Sequence, residues 1–112
     1  MPKQTPRTYS RVTRHAVALL GKQINLARKE RKMTAQELAE RAGISRGLLQ
    51  RIEKGNPNCR IGAVFETAAL VGIKLFDADD SSLVARIRQA EDKIVLLPKH
   101  IHPAKKVVDD DF

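Results

Sequence analysis

The chain has 112 residues, one domain's worth with short appendages. Aromatic residues make up 4% and tryptophan is absent, so any core is small and aliphatic, a size that suits a helical bundle and that a second subunit often completes. The net charge is +8, and it is unevenly placed: residues 1–60 hold 14 Lys and Arg against 4 Glu, whereas residues 61–112 hold 7 against 9 acidic residues. A basic half of this kind is the electrostatic footprint of a nucleic-acid binder, with a merely basic soluble protein as the plain alternative. No apolar run reaches the roughly 18 residues that a membrane span needs. The opening "MPKQTPRTYSRVTRH" is basic without an apolar stretch, so it does not read as a signal peptide. The single Cys59 excludes an intrachain disulfide framework and fits the cytosol.

In chain order, residues 1–12 read as a flexible basic arm with two prolines. Tyr9, Arg7, Arg11 and Arg14 could form a minor-groove arm on DNA, against disorder in the free protein. A first helix is predicted from about Thr13 to near Lys32, with Ala16, Leu20, Ile24 and Ala27 on one face. "TAQE" at 34–37 has capping-box spacing, so Thr34 and Glu37 open a second helix that buries Leu38, Ala39 and Ala42 and stops at Gly43. Ser45 caps a third helix over 46–54, ended by Gly55. "NPN" at 56–58 is turn chemistry. Ile61, Val64, Phe65, Ala68 and Val71 mark a fourth helix closing near Gly72, and "IKLFDAD" is a connector. A fifth helix starts around Ser81, capped by Asp79 or Asp80 and stopped by Pro98, with a stripe of Leu83, Ile87, Ala90 and Ile94. "KIVLL" at 93–97 is the one stretch with strand-like composition. The expectation is therefore an all-α, five-helix fold: a domain over 13–73, an extra C-terminal helix over 74–98, and a flexible, acidic-ended tail over 99–112.

Helices two and three, joined by a short turn with a glycine, make a helix-turn-helix unit. Along the third helix, Leu48, Leu49 and Ile52 share the inner side, while Arg46, Gly47, Gln50, Arg51 and Lys54 share the outer one. Arg pairs with guanine O6 and N7, Gln with adenine N6 and N7, and Lys54 is better placed for phosphate. Gly47 costs the helix about 1 kcal/mol relative to Ala; either the backbone there must approach a sugar or base, or the position is tolerant.

The stretch resembles the helix-turn-helix of the phage repressor and Cro-like (XRE) family through Ile24, Arg28, Thr34, Glu37–Leu38–Ala39, Gly43–Ile44–Ser45, Leu49, Ile52–Glu53 and Gly55. The resemblance covers roughly residues 20–73 and implies a lambda repressor-like bundle that binds operator DNA as a homodimer. It implies base readout by Arg46, Gly47, Gln50 and Arg51. It further implies phosphate contacts at Thr34, Gln36, Ser45, Lys54, Asn56 and Asn58, and a buried ion pair between Arg28 and Glu53. One departure is that Ala35 stands directly after Thr34, where the family usually has Gln, and Gln36 follows one later.

The stripe of Leu83, Ile87, Ala90 and Ile94 needs cover, either from its own domain or, preferably, from the same helix of a second subunit. The run "GNPNCRIGAVFETAALVGIKLF", followed by a charged helix, "LLPK" and an acidic terminus, is similar to HipB-like antitoxins. That likeness implies a bacterial, cytoplasmic autorepressor that also neutralises a HipA-type kinase toxin, with a stand-alone regulator as the alternative. Asp109, Asp110, Asp111 and Phe112 are then the candidate kinase-binding tail, against a tail that only solvates the protein or shields its DNA face. No nucleophile with a base, phosphate-binding glycine loop or ligand cluster is visible, so neither an enzyme nor a cofactor is expected. His100 and His102 lack a third metal ligand, Cys59 reads as a small buried filler, and no stacking platform favours RNA.

Overall fold

A computed structural model describes residues 8–104. All of its regular structure is helical: α1 (Arg11–Glu30), α2 (Ala35–Ala42), α3 (Arg46–Glu53), α4 (Ile61–Leu70), a single 3-10 turn at Leu75–Asp77, and α5 (Asp80–Val95). The chain divides into two units, one ending at Asp77 and the other starting at Ala78.

Each helix of the first unit starts and stops for a local reason. Ser10 caps α1, its hydroxyl accepting from the Thr13 amide at 3.3 Å, so α1 begins at Arg11 and takes two residues from the expected arm. Thr34 and Glu37 form a complete capping box: Thr34 Oγ1 accepts from the Glu37 amide at 3.0 Å and Glu37 Oε1 from the Thr34 amide at 2.8 Å. Ser45 Oγ accepts from the Leu48 amide at 3.0 Å. All four helices end in the same paired return of amides to carbonyls. In α2 it is Ile44 N–H to Ala39 O at 3.0 Å and Gly43 N–H to Glu40 O at 3.2 Å, with Gly43 left-handed at φ 69°. In α1 the left-handed position is filled by Lys32, at φ 56°, a lysine doing what glycine does elsewhere.

The core consists of Ile24, Leu38, Ala39, Leu48, Leu49, Ile52, Ala68 and Val71. It lies where α1 and α2 meet α3 and α4. Thr67 is fully buried and is satisfied by its hydroxyl donating to Val64 O at 2.8 Å. Closeness between α1 and α3 depends on two glycines. A Cβ on Gly21 would collide with Ile52 O and sit 3.0 Å from Glu53 O. A Cβ on Gly55, at φ 80°, would lie 2.7 Å from Ala18 Cα.

Some of the apolar positions that mark the predicted helices are not buried in the core. Ala16 is exposed. It lies eight residues before Ile24, a rotation of about 80° away from that side chain, whereas Val17, seven before it, is within about 20° and is half-buried. Ile61 is 69% exposed because it opens α4 at the rim of an apolar cleft instead of facing the core. Ala42, in the last turn of α2, is half-buried.

In the second unit, Asp79 caps α5, its carboxylate accepting from the Ser82 amide at 2.9 Å and the Ser81 hydroxyl at 3.0 Å. Lys93–Val95 of "KIVLL" belong to α5, which Leu96 caps, so this stretch is helical and not a strand. None of the α5 residues is buried.

Candidate nucleic-acid interface

α3 turns its apolar residues inward and its polar ones out. Leu48, Leu49 and Ile52 are buried, while Arg46, Gln50, Arg51 and Lys54 are exposed and Gly47 is half-buried. The outer residues fall into two groups. Arg51 folds back along the helix, and its guanidinium would lie 3.7 Å from a Cβ on Gly47. That is ordinary contact distance, so this chain's own packing does not require glycine at 47. Gln50 and Lys54 instead line a polar cleft of about 280 Å³ with Glu53 and with Lys22 and Asn25 of α1. Lys22 thereby adds a cation beside the third helix.

Several expected phosphate contacts have an intrachain role as well. Thr34 and Ser45 carry the caps described above. Gln36 Nε2 donates to Glu40 Oε2 at 2.9 Å along α2. Asn56 Oδ1 accepts from the Asn58 amide at 2.8 Å, which fixes the turn after α3, and the Tyr9 hydroxyl donates to Asn58 Oδ1 at 3.5 Å. Lys54 is the cap residue at the α3 C-terminus.

Arg28 and Glu53 meet in a two-point ion pair, Nε to Oε2 at 2.7 Å and Nη2 to Oε1 at 3.0 Å, with each side chain about nine-tenths buried. Arg28 Nη1 also donates to Met33 O at 2.9 Å, and Asn25 Nδ2 donates to Glu53 Oε1 at 2.7 Å. Burial by itself would raise the Glu53 pKa. The hydrogen bonds from Arg28 and Asn25, with the charges of Arg28 and Lys29, outweigh it and hold the carboxyl below the ordinary glutamate value. The Arg28 guanidinium is held above its ordinary value, chiefly by its hydrogen bond to Glu53. The network clamps α1, the loop before α2 and the last turn of α3 together, and so sets the tilt of the outer face. Asn25 and Lys22 were absent from the sequence reading of the site. The available signal was spacing: Asn25 lies three residues before Arg28 on one face of α1.

Elsewhere, Cys59 is a half-buried free thiol on the wall of an apolar cleft of about 240 Å³, with Leu20, Ile52, Pro57 and Phe65 among its neighbours. His100 and His102 are exposed beyond α5. Asp109, Asp110, Asp111, Phe112 and Arg7 lie outside the described residues. Among the described residues, no helix is long and apolar enough to cross a membrane.

The sequence profile of the helix-turn-helix family matches residues 24–61, from the middle of α1 to the first residue of α4. Over 72 residues, 64% of its length, the chain is 33% identical to the immunity repressor protein of Bacillus phage phi105 and covers 50% of that relative. The chain therefore spans about half the length of the curated relative it matches. No solved structure gives a significant match. The matched segment contains the capped α2–α3 turn and both ends of the Arg28–Glu53 clamp, so residues 24–61 form a helix-turn-helix unit similar to that family's.

Proposed function

We propose that this protein is a sequence-specific DNA-binding transcriptional repressor, acting as a homodimer in the bacterial cytoplasm, and that it is a binding protein, not an enzyme. The observation that carries the reading is the division of α3: three buried aliphatic residues dock it to the bundle, and Arg46, Gln50, Arg51 and Lys54 stand exposed along the other side. In this reading Arg46, Gly47, Gln50 and Arg51 face base edges, and Lys54, Gln36, Asn56 and Asn58 hold phosphates together with the openings of α2 and α3 at Thr34 and Ser45. The likeness to a phage immunity repressor supports it, as does the basic front half of the chain.

The test is binding of the purified protein to its own upstream DNA and to a scrambled duplex of equal length across a salt series. A preference of about 1,000-fold for the native sequence is expected. Equal, steeply salt-dependent binding to both duplexes would reduce the basic face to a phosphate-holding surface. The narrower reading, a HipB-like antitoxin that neutralises a HipA-type kinase through the acidic tail, is supported by the run 55–76 and the "LLPK" and "VVDDDF" segments. The immunity-repressor likeness favours a stand-alone regulator. Co-purification with the product of a neighbouring kinase-like reading frame separates the two.

A further inference from the structure

We infer that α5 pairs with α5 of a second copy in parallel, held in that orientation by Arg86 of each chain facing Glu91 of the other. The inference rests on the homodimer reading above and adds the orientation and the residues that set it. Leu83, Ile87, Ala90 and Ile94 follow a 4-3-4 spacing, the seam of a two-stranded coiled coil with Ile87 and Ile94 at one core position and Leu83 and Ala90 at the other. Among the described residues the stripe is left uncovered at its two isoleucines: Ile87 is 56% and Ile94 64% exposed. The small Ala90 at its middle lets two helices approach closely.

The charges beside the seam choose the direction. One flank carries Arg86 and Lys93, and the other carries Val84 and Glu91; Arg86, Lys93 and Glu91 are all exposed. In an antiparallel pair each flank faces its own copy, so Arg86 and Lys93 meet Arg86 and Lys93, and Glu91 meets Glu91 or Val84, in any register. In a parallel pair the basic flank faces the flank with Glu91, and Arg86 reaches Glu91 five residues further along the other helix, twice by symmetry. Opposite charges then replace like charges without any change in the apolar seam.

The experiment is sedimentation equilibrium of the full chain without DNA, for the native protein and for Arg86→Glu, Glu91→Arg, the double variant Arg86→Glu/Glu91→Arg, and Ile87→Lys, each checked for helix content. The native chain and the double variant are expected to be dimers, and Ile87→Lys a monomer. Each single charge reversal should weaken the dimer about tenfold or more, since two attractions become two repulsions. An equimolar mixture of the two single variants should recover native affinity. In the mixed dimer, position 86 of one chain and position 91 of the other again carry opposite charges, at both symmetry-related contacts. If Ile87→Lys is monomeric but the charge reversals change nothing, or their mixture fails to recover, the parallel pairing is overturned while the seam survives. A monomeric native chain, or a dimeric Ile87→Lys, overturns the seam and the pairing together.

Discussion

The Arg28–Glu53 pair shows how a single residue can hold separate elements together, since Glu53 of α3 is bonded to both Arg28 and Asn25 of α1. Glu53 accepts from two Arg28 nitrogens and from Asn25, so replacing it with Ala strands a nearly buried guanidinium. Glu53→Ala should lower stability by about 3–5 kcal/mol in urea denaturation. Acid should act in the same direction. Glu53 has a depressed pKa in the folded state, as does Glu37, through its backbone bond with Thr34 first. The folded chain therefore binds fewer protons than the unfolded one in mild acid, and the stabilisation is complete above the ordinary glutamate range. It is lost as the pH falls through the depressed folded values, so the urea midpoint should drop across that window and the drop should be smaller in Glu53→Ala. Gly21→Ala tests the other contact between α1 and α3: its methyl would meet the Ile52 carbonyl, and overpacking of this kind costs about 1–3 kcal/mol.

At the scale of the element, α3 has only eight residues, too short to be stable alone, so it depends on its cap and on its docked face. Ser45→Ala should cost about 1 kcal/mol of stability, and Ser45→Asp should keep most of it because a carboxylate can accept the Leu48 amide. The outer face is separable from this. Arg51→Ala should leave the urea midpoint nearly unchanged, weaken operator binding by about 1–3 kcal/mol, and relax base preference. Lys54→Ala should weaken all duplexes alike and reduce the salt slope by about one phosphate contact. Operator footprints and salt titrations of the two variants distinguish a base-reading residue from a charge-holding one.

For the whole molecule, the division at Asp77 and Ala78 separates a unit with its own aliphatic core from one with no buried α5 residue. A chain ending at residue 77 should keep cooperative thermal unfolding, monitored by circular dichroism. It should nevertheless bind a two-half-site operator far more weakly than the full chain, because linkage through a dimer turns the second half-site into an intramolecular event. Cooperative unfolding lost on truncation would mean that the first core needs the second unit.

Local signals were legible in the order of residues. Thr34, Glu37 and Ser45 were readable as caps, the α5 cap was narrowed to Asp79 or Asp80, and Gly43, Gly55 and Gly72 were readable as stops, because capping involves groups within three or four residues of one another. The number and order of the helices followed from these and from the apolar period. The inner and outer sides of α3 were legible for the same reason: a rotation of about 100° per residue is a property of the helix alone. What only the tertiary structure decided was contact between elements distant in the chain. It put Ala16 and Ile61 outside the core, because a face of the right period still meets a neighbour over only part of its length. It brought Asn25 to Glu53 and Lys22 beside Gln50 and Lys54. It also constrained Gly21 through a carbonyl 31 residues away, a constraint that no local pattern carries.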